Sequence, residues 1–168
     1  SHIPPFVERS VKMERPTVLV VRNPKDAVVS WAIYTSEPLR GILEYYLQYH
    51  RLVLPHLNSL HIACFDEFTR DLRPLAMQLQ AKHNLKFMID DYDHEAFSQR
   101  VFQRIEDIER SNRGGGLDER QTPRPSDKRV GEKHRLLDQL ESDKALKSLL
   151  HKAEEIHQRV LDSSYNPI

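Results

Sequence analysis

The sequence predicts an α/β fold, a parallel sheet flanked by helices with a helix-rich C-terminal half, and three observations carry that prediction. Two short, largely apolar runs at residues 17–21 and 60–65 suit buried strands, the first one buried on both faces. Segments of helical periodicity separate and follow them. The resulting order of strand, helices, strand, helix is that of crossover connections between parallel strands, in which ligands gather beyond the carboxyl ends of the strands.

The first run, Thr17-Val18-Leu19-Val20-Val21, ends at Arg22. A helix start follows: Asn23 suits the cap, Pro24 the first helical position, and Asp26 lies three residues after the cap, where a carboxylate reaches back. Ala27, Val28, Trp31, Ile33 and Tyr34 give that helix an apolar side until Ser36-Glu37-Pro38 interrupts it. Ile42, Leu43, Tyr46, Leu47, Tyr49, Leu52 and Val53 recur at helical spacing, and Pro55 closes this second helix. After the second strand, Leu72, Leu75, Met77, Leu79 and Ala81 mark one further helix. Phe97, Val101, Phe102, Ile105 and Ile108 mark an amphipathic one. Residues 111–125, rich in Gly, Pro and charge, predict a mobile loop. Two charged helices finish the chain, near 126–139 and 143–161, with Leu136, Leu140, Leu146, Leu149, Leu150, Ile156 and Val160 inward. Two strands alone do not bury a sheet on both faces. Further strands are therefore expected either in irregular stretches such as Phe87-Met88-Ile89 or before Ser1.

The 168 residues fit a single domain, taken as residues 1–168 and N-terminally incomplete. With 25 basic and 25 acidic residues there is no global field to recruit nucleic acid or an anionic membrane, so anion binding must come from local clusters. The single Cys64 excludes an internal disulfide framework and is expected as a buried thiol in a reducing, cytoplasmic setting. No run approaches the length of a membrane span, and Ser1-His2-Ile3-Pro4-Pro5 lacks the pattern of a signal peptide. The nine histidines are scattered without zinc-ligand spacing, so no metal is expected.

The segment Val20-Val21-Arg22-Asn23-Pro24-Lys25-Asp26-Ala27-Val28-Val29-Ser30 sets a guanidinium at the end of a strand and a hydroxyl on the next helix, where unpaired N–H groups and the helix dipole attract an anion. Lys25 at a helix start opposes that dipole unless an anion sits there. A solvated Arg and a surface Ser remain the plain alternative.

This segment resembles the 3′-phosphate motif of the cytosolic and bacterial sulfotransferases that use 3′-phosphoadenosine-5′-phosphosulfate (PAPS). The resemblance implies a partial P-loop NTPase-like sheet, with Arg22 and Ser30 holding the 3′-phosphate of the co-substrate. The opening Ser1-His2-Ile3-Pro4-Pro5 resembles the family's segment that carries the general base, which falls on His2; an imidazole suits deprotonation of an attacking hydroxyl. Phe65-Asp66-Glu67 is similar to a family segment with Tyr in place of Phe65, so only apolar contact to the adenosine would survive there. Residues 124–132 blur the family's basic, Gly-containing loop. Arg124, Ser126 and Lys128 are the positions the resemblance implies for the 3′-phosphate, in a run where Arg124, Lys128 and Arg129 crowd a helix start against its dipole. The Gly-rich loop for the 5′-phosphosulfate has no counterpart, and Gly114-Gly115-Gly116 follows no strand. The resemblance thus implies that a strand, its loop and a helix precede Ser1 in an intact enzyme.

The function so implied is transfer of a sulfuryl group from PAPS to a small-molecule hydroxyl or amine acceptor, with no metal, nucleic acid or membrane involved, and with poor activity in the chain by itself. Two alternatives stand beside it. One is a non-catalytic nucleotide-binding or protein-interaction module with a vestigial pocket, whose charged C-terminal helices dock a partner. The other is a related P-loop kinase, which would take a nucleoside triphosphate with magnesium.

Overall fold

Two strands run side by side at the centre of the computed structural model, which describes residues 3–88, 94–112, 114–116, 118 and 127–164. β1 (Val18–Val21) and β2 (His61–Cys64) are parallel, with Val18 opposite His61 and Val21 opposite Cys64. The crossover between them is helical, as parallel pairing requires. α2 (Pro24–Thr35) starts under an Asn23 cap, whose side chain accepts a 3.0 Å hydrogen bond from the Lys25 amide. It stops at Ser36, which takes a left-handed φ of 64°. α3 (Leu39–Val53) follows, and Leu54–Ser59 forms a 3-10 turn into β2.

The described residues thus give an α/β arrangement that is mostly helix. α1 (Pro4–Lys12) precedes β1 and was not foreseen; Pro4 and Pro5 occupy its first positions, where a missing N–H is no loss. The helix expected from Leu72 to Ala81 is α5 (Arg73–His83), and α4 (Phe65–Arg70) before it was not foreseen. Asp71 accepts from the Arg73 amide at 2.9 Å and restarts the chain there. α6 (His94–Asn112), α7 (Asp127–Ser142) and α8 (Lys144–Ser164) match the three remaining expected helices. Residues 111 and 112 complete α6; most of the expected loop at 111–125 lies outside the described residues. Phe87 and Met88 form no strand, Met88 is 95% exposed, and Ile89 lies outside the described residues.

Two apolar clusters hold the fold together. The larger packs Val28, Val29 and Ile33 of α2 with Leu43 and Leu47 of α3, Leu136 and Leu140 of α7, and Leu146, Leu150 and Ile156 of α8. In the smaller, Val53, Leu60 and Val160 cover Leu19 and Val21 on one face of β1. The other face of β1 departs from the expectation of burial on both sides. Val20 is 44% exposed there, because only β2 pairs with β1 among the described residues and no helix seals that face. The open face forms the floor of a pocket.

Candidate functional site

A pocket of about 640 Å³ lies over the open face of β1, walled by α1, α2 and α3. Its aromatic lining includes Phe6, Trp31, Tyr34, Tyr45 and Tyr49, and its polar lining includes Arg22, Ser30 and Arg129. No acidic side chain lines it among the described residues.

Arg22 stands one residue beyond the carboxyl end of β1. The parallel register pairs Val21 with Cys64, so the next position on each strand brings Arg22 beside Phe65. The guanidinium carbon sits 4.5 Å from the centroid of the Phe65 ring, a cation–π contact that holds the side chain across the strand ends. The Arg22 carbonyl accepts from the Tyr46 hydroxyl at 3.3 Å, which ties the strand end to α3; burial pushes the Tyr46 phenol well above its ordinary pKa. Arg22 Nε is buried and has no hydrogen-bond partner among the described residues. A buried guanidinium N–H without an acceptor is costly, and it is the kind of donor an anion satisfies.

Ser30 lies two turns into α2, on the side that faces the pocket, and its hydroxyl has no partner among the described residues. The two residues expected to meet one anion therefore open onto the same space. Arg129, in the first turn of α7, brings a second guanidinium to it. Burial, and after it the charge of Arg22, hold the Arg129 guanidinium below its ordinary pKa. The Arg22 charge thus meets a second guanidinium in a pocket that no carboxylate lines among the described residues, which favours negative charge there.

The other expected residues are distributed differently. His2, Arg124 and Ser126 lie outside the described residues. Lys128 is exposed and lines a second depression, with Glu37, Glu132 and Arg135, that shares Arg129 with the pocket but does not include Arg22. Lys25 does not serve the anion site: its ammonium pairs with Glu141 of α7, and the hydrogen bond to that carboxylate raises its pKa. Asp26 is likewise engaged, by Lys133 at 2.8 Å, instead of reaching back to the cap. Both pairs fasten the start of α2 to α7, which carries Arg129. Phe65, expected to keep only apolar contact, provides the face under Arg22.

Two pocket residues were not singled out from the sequence. Arg129 lies on the inward stripe of α7, four residues before Lys133 and seven and eleven before the buried Leu136 and Leu140. Helical spacing could have separated it from Lys128, which lies one position off that stripe. His50 on α3 is buried in the pocket wall, stacked on Tyr46 with ring centroids 4.1 Å apart, and its Nδ1 is 2.9 Å from the Tyr46 carbonyl, to which it donates. Burial lowers its pKa, so the imidazole is neutral near pH 7. Its signal, a His on the apolar side of a helix, is that of any core histidine.

The described residues contain no group of three or more His, Cys, Asp or Glu placed to hold a metal. Among them, no helix is long and apolar enough to cross a membrane. Compared with protein-family models, with curated proteins and with solved structures, the chain matches none.

Proposed function

We propose that this chain binds the 3′-phosphate of PAPS between Arg22, Ser30 and Arg129, as part of a sulfotransferase on a P-loop-like sheet. The observation that carries the proposal is the buried, unpartnered Nε of Arg22, on a side chain that lines the same pocket as Ser30 and a second guanidinium, with no acidic residue among the described lining. A phosphate monoester offers an oxygen that the Arg22 Nε lacks, and Arg forks match such oxygens in geometry. When bound, the co-substrate supplies the sulfuryl group and departs as adenosine 3′,5′-bisphosphate. The chain's own part is to hold the nucleotide at the carboxyl ends of the strands, while the aromatic wall excludes water and gives an acceptor alcohol or amine an apolar seat. His2, by the resemblance, takes the acceptor's proton.

The interaction-module alternative would draw on the charged sides of the C-terminal helices. The apolar sides of α7 and α8 are buried against α2 and α3, which leaves their charged sides for any partner. A kinase differs in its ligand, which makes the two separable by titration.

Isothermal titration of the chain with adenosine 3′,5′-bisphosphate tests the proposal. Saturable binding is expected, weakened about tenfold or more by Arg22→Ala and by Arg129→Ala, in line with the loss of charge-assisted hydrogen bonds. Lys128→Ala should leave it unchanged. Absence of binding, or equal binding after Arg22→Ala, overturns the site; tighter binding of magnesium ATP than of the bisphosphate favours the kinase.

A further inference from the structure

Among the described residues His50 is the one polar residue that the fold buries, 6% exposed, and it lines the pocket. Its ring is stacked on Tyr46 and stands edge-on to Tyr49, with centroids 5.2 Å apart in the second pair. A backbone carbonyl only accepts, so the Nδ1 that lies 2.9 Å from the Tyr46 carbonyl carries the hydrogen, and the Nε2 of the neutral ring carries the lone pair. That Nε2 has no partner among the described residues. Nor is it shut away: the buried side-chain nitrogens and oxygens without a partner there are Arg22 Nε and His157 Nε2. A histidine that serves packing alone has its polar atoms satisfied or screened. His50 has one nitrogen committed and the other open on the pocket. The Tyr46 hydroxyl donates to the Arg22 carbonyl at 3.3 Å, so the imidazole stands one tyrosine ring away from the strand end that carries the anion site.

We propose that the Nε2 of His50 accepts a hydrogen bond from a hydroxyl of the acceptor molecule, which makes His50 the residue that selects an uncharged hydroxyl compound with an apolar body. The inference rests on the sulfotransferase reading for the fate of that molecule, and on the pocket alone for its binding. A lone pair takes only a donor, so an ether of the same shape gains nothing from it. A protonated amine also donates, but it enters a pocket lined by two guanidiniums and, among the described residues, by no carboxylate. The aromatic wall seats the apolar body. An imidazole of ordinary pKa is mostly neutral above about pH 6.5, and burial lowers the pKa of His50 further, so the lone pair is present at neutral pH. The bond holds and orients the acceptor; no proton leaves the hydroxyl in it.

Calorimetric titration of the full chain with cinnamyl alcohol, its methyl ether and cinnamylamine is the test. The alcohol should bind about three- to tenfold more tightly than either analogue, the range of a single hydrogen bond. His50→Phe keeps the flat ring and loses the lone pair, and should abolish the preference over the ether; His50→Gln offers an amide oxygen in its place and should keep part of it. Neither variant should alter the affinity for adenosine 3′,5′-bisphosphate, and the His50 Nε2 resonance should shift with the alcohol and not with the ether. No binding of the alcohol, equal affinity for alcohol and ether, or an unchanged preference in His50→Phe would overturn the inference, and an amine that binds as tightly as the alcohol would overturn the selection by charge. If the unmodified chain binds no bisphosphate yet prefers the alcohol, His50 keeps this role and the sulfotransferase reading falls. Should His50→Phe fail to fold, the Nε2 resonance of the unmodified chain decides.

Discussion

Residues 65–112 and the helices that surround them in sequence share one amphipathic pattern, yet they bury it differently. α2, α3, α7 and α8 place their apolar sides against one another, and Leu43, Leu140 and Val160 are fully enclosed. Between Phe65 and Asn112 no described residue is buried, although α6 carries Phe97, Val101 and Ile108 at helical spacing. Periodicity specifies that a helix forms with an apolar side. Whether that side meets a complement depends on the other elements, and only tertiary packing converts it into stability.

The comparison is broken or sharpened most forcefully by truncating the enclosed side. Leu140 is 0% exposed, in the layer that joins α7 to α2, α3 and α8. Leu140→Ala should cost about 2–5 kcal/mol, a large fraction of the stability of about 5–15 kcal/mol usual for a domain, and lower Tm by roughly 5 °C or more. Urea unfolding measures it. A loss no larger than that from truncating Phe97 would remove the distinction between the two regions.

What the sequence made legible follows the same division. β1, the Asn23 cap, α3 and the inward residues of α7 and α8 could be read because strand composition, cap chemistry and helical spacing all agreed with the packing that resulted. The short α4 could not, because six residues with apolar Phe65 and Phe68 carry too little periodicity to mark a helix. Of the site, Arg22 and Ser30 were legible from one strand–turn–helix segment. Arg129 was hidden in a charge run, where selecting it over Lys128 depends on which side of α7 faces inward. Lys25 misled for a related reason. Its unfavourable place at a helix start is answered by Glu141, 116 residues away, and no local pattern announces a partner at that distance.

The enclosed region should also be the one that responds to acid. Burial lowers the pKa of His50, and burial lowers that of His157, whose Nε2 is buried without a partner among the described residues. Both values start from 6.5. In the window below 6.5 and above the depressed folded values, the unfolded chain binds more protons than the folded one, so stability rises with pH there. It is therefore complete above about pH 6.5, and it declines as pH falls until the folded histidines also protonate. Urea midpoints taken from about pH 7.5 down to about pH 5.5 should fall, and the fall should flatten in the His50→Gln, His157→Gln double variant. A slope unchanged in that variant would assign the acid response to other groups.

The smallest effect is expected on α6. Val101 and Ile108 are 39% and 45% exposed, so a polar replacement removes apolar area that is in part already hydrated. Val101→Ser and Ile108→Ser should each change stability by less than about 1 kcal/mol, with helix content preserved because Ser and Val have similar helix propensities. Circular dichroism with urea unfolding reads both quantities. A loss of about 2 kcal/mol or more has the size of a buried-side-chain deletion. It would mean that these residues meet a complement in solution, and α6 would then belong with α2, α3, α7 and α8 as a helix whose apolar side is enclosed.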